Sequence, residues 1–140
     1  MEYKKFQNKY VVRLNSGEDI VESIKEIAKK ESIRLGTVSG IGAVNKATVG
    51  LFELAKKEYH STELTGDMEI VSLAGNITEM NGEVYVHLHI ALSDSTYNVK
   101  AGHLNSAIIS ATGEIFIDVI DGVVDREKNE DIGLNLLSFK

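Results

Sequence analysis

Apolar and polar residues alternate in short blocks along this chain, and the blocks with a period of two predict β-strands. The clearest covers residues 84–92. Val84, Val86, Leu88, Ile90 and Leu92 fall on one face, and Tyr85, His87 and His89 fall on the other. Asn81-Gly82 precedes it, the dipeptide that a two-residue type I′ turn prefers because both positions need positive φ. A hairpin of 68–80 with 83–92 is therefore predicted. Lys9–Leu14, Ala47–Leu54, Glu58–Leu64, Ser106–Thr112 and Glu114–Ile120 are further strand candidates, bounded by polar residues or glycine. In the last of these, apolar side chains occupy both faces, which predicts a helix packed on one side and a partner subunit on the other.

One block repeats at three- and four-residue steps instead. Ile20, Val21, Ile24, Ile27 and Ala28 form the apolar stripe of a helix expected over about residues 17–31. Ser16 is its expected cap, Glu18 and Asp19 suit the first turn, and Lys29-Lys30 suit the last, where the helix dipole favours cations. Between helix and hairpin, Arg34–Val44 carries glycines at 36, 40 and 42. It has no G-x-x-x-x-G-K-[ST] pattern, so bulges or close backbone approaches are expected there rather than a phosphate loop. Asp125–Asp131 reads as a charged connector and Leu134–Phe139 as a short apolar tail that docks.

The alternation gains chemical meaning from the histidines. Two residues apart on a strand places α-carbons about 6.6–7 Å apart, so the imidazoles of His87 and His89 can converge on one atom. After the polar stretch Ser93–Asn98 the chain reaches Gly102-His103, and an antiparallel return brings His103 beside the pair. Three neutral imidazoles with an open fourth position suit a divalent transition metal, zinc first. Glu69, Asp94 and Glu114 are the carboxylates considered as bases for a metal-bound water. His60 has no companion at ligand spacing and reads as a solvated strand residue.

Composition narrows the alternatives. The 140 residues suit one domain over 1–140, with 43% hydrophobic residues and 26% charged ones. There is no cysteine, which excludes disulfides and thiolate ligands. No apolar leader follows the first lysines and no window approaches a membrane span, so a cytoplasmic location is expected, without membrane contact. The net charge of −6 argues against a broad basic face for nucleic acid.

Taken together, RLNSGEDIVESI, SGIGAV followed by ATVGLF, EIVSLAGNI, VHLHIALSD and the GHL at 102–104 resemble the PPC domain of plants and prokaryotes, over nearly the whole chain. The resemblance implies an α+β fold, mainly antiparallel β-sheet with flanking helices, assembled as a homotrimer. It also implies a metal site, usually taken to be zinc, at positions matching His87, His89 and His103. Ala101 stands where the family commonly shows a second glycine. Plant relatives use separate AT-hooks to grip DNA, whereas this chain has no proline and only Arg13, Arg34 and Arg126 for such a hook. The functional expectation is a homotrimeric metal-binding PPC protein of undetermined activity. Two alternatives remain beside it: a DNA-associated or transcription-related protein, and a metal-dependent enzyme of cupin type, suggested by H-x-H followed at Asp94 by a carboxylate.

Overall fold

The computed structural model describes residues 1–140. Its elements in chain order are β1 (Glu2–Phe6), β2 (Lys9–Asn15), α1 (Ile20–Lys30), β3 (Gly36–Glu53), β4 (Glu58–Met80), β5 (Glu83–Ser93), β6 (Val99–Val119), β7 (Asp125–Asn129) and β8 (Leu134–Ser138). The first six strands form one antiparallel sheet in the order β1-β2-β6-β3-β4-β5. The first part of β6 also bonds to β5, so β3, β4, β5 and β6 close into a ring. No helix is long and apolar enough to cross a membrane.

The mainly antiparallel α+β architecture is as expected, but the flanking helices reduce to α1 alone. All five stripe residues of α1 are buried, together with the inward positions of the strands. Leu88, Ile90 and Leu92 of β5 meet Leu104, Ile109, Ile115 and Ile117 of β6 in the same core. The helix starts later than Ser16 would place it. Asp19 is the N-cap, accepting a hydrogen bond from the Glu22 amide at 2.9 Å. The other Asp19 carboxylate oxygen accepts from the Ser106 hydroxyl and the Ala107 amide, so the same side chain caps the helix and ties it to β6.

Several expected breaks are absent. The segments 47–54 and 36–44 are one strand, β3, which bends at register shifts between Gly40 and Gly42 and between Val44 and Lys46. The glycine-rich stretch thus holds bulges, as its composition predicts. Strands expected at 58–64 and 68–80 are also one, and Gly113 lies within β6 rather than ending it. A long strand tolerates such residues because a bulge bends the ladder without ending the pairing on either side. At the C-terminus, 125–131 is no connector: β7 pairs with β8 in a hairpin of their own. The Asn81-Gly82 turn has φ of 54° and 78°, as a type I′ turn requires.

Candidate metal centre

The site is built by two adjacent turns of strand pairing. In β5 the alternation buries Leu88 and Ile90 and leaves His87 and His89 on the opposite, outer face of the ring. Asp94 closes the β5–β6 turn: its carboxylate accepts from the Thr96 amide and hydroxyl and from the Asn98 amide, at 2.7–3.1 Å. The returning strand then sets His103 directly opposite His89, while Ala101 pairs with Ala91 in an unbroken ladder. The methyl at 101 is thus accommodated.

The three rings have centroids 5.2, 5.2 and 5.7 Å apart. One ring nitrogen from each lies within 4.8 Å of the other two. Nitrogens on a tetrahedral zinc, each about 2.0–2.1 Å from it, sit roughly 3.3 Å apart. Side-chain rotation spans that difference, so the donor set fits such an ion.

Burial and charge keep two of the donors, His87 and His103, in the ligating form. Burial pushes the His87 pKa down to about 4, with His103, Arg126 and His89 adding repulsion. His103 is lowered as well, first by burial and then by His89. Between about 6.5 and 4 the folded chain therefore holds His87 neutral while the unfolded chain protonates it, so falling pH favours unfolding through that window. Metal-free protein is expected to lose stability as pH drops from 6.5 toward 4 in denaturant titrations, and His87→Gln to lose less over the same interval.

Close packing of backbone against backbone holds the two histidine strands in place. A β-carbon at Gly75 would lie 2.0 Å from the His87 carbonyl oxygen, so glycine lets β4 approach the ligand strand. Gly50 faces His103 across the ladder and leaves room for Tyr59 to cross it, where the Tyr59 hydroxyl bonds to Asn105 and its ring meets His103 edge-on at 5.9 Å. Gly75 holds no bulge: its pairing with Leu88 is regular.

None of the three carboxylates considered as bases joins the histidines. Glu69 pairs with Ser93, four residues past His89 and about 13 Å along the strand. Glu114 pairs with Arg13 and Ile41 at the far end of β6, and Asp94 is consumed by its turn. With Asp94 so held, the H-x-H and carboxylate do not form a cupin-like ligand set.

His60, in contrast, has company. Its Nε2 lies 2.8 Å from Glu53 across the β3–β4 hairpin, a pairing that linear spacing conceals, and 3.8 Å from Glu58, two residues back on β4. These groups are largely exposed and form a polar surface cluster.

Sequence reasoning also missed Arg126. Its guanidinium lies over the Tyr85 ring at 4.5 Å and donates to Asn76 and Thr78, the β4 partners of His87 and Tyr85. Its position in a run of charged residues gave no sign of burial, because its partners are distant in sequence.

Residues 1–121 match the family described as the Plants and Prokaryotes Conserved (PCC) domain. The chain belongs to this family. Among solved structures, a Bacteroides thetaiotaomicron protein described as a candidate DNA-binding protein is 39% identical, with a TM-score of 0.96 over 99% of this chain and 96% of that one. A metal-containing protein from Archaeoglobus fulgidus is 31% identical, with a TM-score of 0.87 over 98% of this chain and 96% of that one. Among curated proteins, the bifunctional protein GlmU of Synechococcus sp. is 29% identical over 110 residues, 77% of this chain. The chain spans 16% of that relative's length.

Proposed function

We propose that this PCC-domain chain, as one domain over 1–140, is a cytoplasmic homotrimer that binds a divalent metal, zinc first, through His87, His89 and His103. The observation that carries the reading is the convergence of three ring nitrogens within 4.8 Å, from residues that cross-strand register brings together. The metal-containing Archaeoglobus relative supports it. A bound zinc ion would supply Lewis acidity at its open position, while the chain's own contribution is to orient three imidazoles and to disfavour protonation of His87 and His103. Titration of tag-free protein with zinc against a chromophoric chelator tests this reading. One equivalent bound with micromolar or tighter affinity, on the order of 8 kcal/mol, is expected; no binding at millimolar zinc overturns it.

Self-association is supported by the outer face of the sheet. Phe116, 50% exposed, pairs directly with the exposed Val11, and exposed Ile41 lies nearby on β3. Such an apolar cluster is what a subunit contact covers. Phe116→Glu is expected to convert a trimer into monomers in light scattering coupled to size exclusion. A monomeric wild type at micromolar concentration contradicts the trimer.

A second reading, association with DNA, rests on the description of the Bacteroides relative. The net charge of −6 weighs against it. Sequence-selective retention of duplex DNA at physiological salt would raise this reading above the first, and binding that vanishes with modest salt would not.

A further inference from the structure

The chain's three arginines differ in how their charge is met. Arg13 pairs with Glu2, and Arg34 holds Glu79 through two hydrogen bonds of 2.7 and 2.8 Å. Both of these arginines are exposed. Arg126 is the buried one, 6% exposed, and no carboxylate lies within 4.0 Å of its guanidinium. Its partners are all neutral: the Thr78 hydroxyl at 2.8 Å, the Asn76 side-chain oxygen at 2.9 Å, the Asn135 carbonyl at 2.9 Å and the face of Tyr85. A buried charge without a counter-charge is costly, and natural proteins meet that cost with an opposite charge or a ligand. A guanidinium has five N–H bonds. Three are engaged here, which leaves two of the five.

Position adds to the charge argument. Asn76 and Thr78 are the β4 partners of His87 and Tyr85, so the guanidinium stands over the rungs that carry the first ligand of the candidate centre. It is delivered there by the β7–β8 hairpin, which lies outside the residues that match the family. The three histidines bring no negative charge, and the ion they hold would add two positive charges beside the arginine's one. No carboxylate belongs to the histidine cluster. Metal and guanidinium would then be neighbouring positive charges, one on His87 and the other on its cross-strand partner Asn76, with no carboxylate among their partners.

We infer that the site takes a small oxyanion, a carboxylate or a phosphate, with one oxygen at the open position of the metal and another on the free N–H bonds of Arg126. This inference rests on the metal reading above. Planar presentation of two donors is the feature that lets arginine grip such groups, and lysine does not reproduce it. Arg126 acts here as a ligand-binding residue, and Tyr85, Asn76 and Thr78 position it.

Cobalt-loaded protein provides the test, because the visible absorption of Co²⁺ reports on its fourth ligand. Acetate and inorganic phosphate are titrated separately at constant ionic strength, so that the two arms distinguish the two sources of oxyanion. A saturable spectral change is expected with at least one. Arg126→Gln is expected to weaken that anion by about tenfold or more while leaving cobalt affinity within about threefold, with Arg126→Lys between the two. Unchanged anion affinity in Arg126→Gln, or no saturable change in cobalt-loaded wild type, overturns the inference while leaving the metal reading intact. Should Arg126→Gln not fold, Arg126→Lys carries the comparison, and equal affinity to wild type is then the contrary result. Failure of cobalt to bind strikes the metal reading itself. In that event the Arg126 Nε–H resonance of metal-free protein decides the arginine half: a saturable shift with either anion supports it, and no shift overturns it.

Discussion

His103→Ala is expected to abolish metal binding while leaving the fold in place. The side chain lies on the outer face of the ring, half-buried, and its neighbours there are His87, His89 and the edge of Tyr59. Removing it subtracts one of three protein ligands without opening the core, which is formed by Leu88, Ile90, Leu92 and Leu104 on the other side of the same strands. Loss of a merely supporting partner costs about 10–100-fold in metal affinity, so loss of a ligand is expected to exceed roughly 100-fold. His87→Ala should behave alike, and the chelator competition described above reads both. An unchanged far-UV spectrum shows that the loss is local. If either variant retained wild-type affinity with one equivalent bound, that histidine would not be a ligand.

The second large effect is expected from Gly75→Ala, which touches no ligand atom. The added methyl would sit 2.0 Å from the His87 carbonyl oxygen and 2.8 Å from the Leu88 α-carbon. Both are backbone atoms in a regular ladder, so relief requires the strands to part rather than a side chain to turn. The expected cost is about 3 kcal/mol or more, a fall in Tm of roughly 10 °C for a domain of this size. Because the displaced backbone is that of His87, metal affinity should fall as well, although every imidazole is still present. Gly82→Ala is a useful contrast, since a methyl there would meet nothing within 4 Å and only the φ of 78° opposes it. A thermal melt in which Gly75→Ala matches wild type would show that β4 and β5 are not held as closely as described.

Much of this architecture was legible along the chain, and the reasons differ by element. The stripe of α1 and the alternation of β5 are local periodicities, so burial of Ile24 and Ile27, or of Leu88 and Ile90, follows from spacing alone. Asn81-Gly82 is local too, since its dihedral requirement belongs to two residues. The histidine site was half local: His87 and His89 share a face by parity, but His103 reaches them only through the register of β6.

What was not legible depends on distant partners. The strands β3, β4 and β6 run on through Gly42, Gly66 and Gly113 because neighbouring strands hold them, and no local signal separates a bulge from an end. Asp19 caps α1 in place of Ser16 because it is also anchored by Ser106 and Ala107, far along the chain. Arg126 reads as solvated in the run Asp125–Asn129, yet Asn76, Thr78 and Tyr85 bury it. Glu53 reaches His60 only once the β3–β4 hairpin is formed.

That same exposed cluster makes the decisive measurement a location and not merely a stoichiometry. Glu53, Glu58 and His60 also converge within 4.8 Å, so an equivalent of bound metal alone does not say which group holds it. Anomalous diffraction at the zinc edge, from crystals of tag-free protein grown with stoichiometric zinc, separates the two. The account predicts one strong peak about 2.0–2.1 Å from a ring nitrogen of each of His87, His89 and His103. A peak at the Glu53–His60 hairpin with none among the three histidines, or no ordered peak at all, would contradict it.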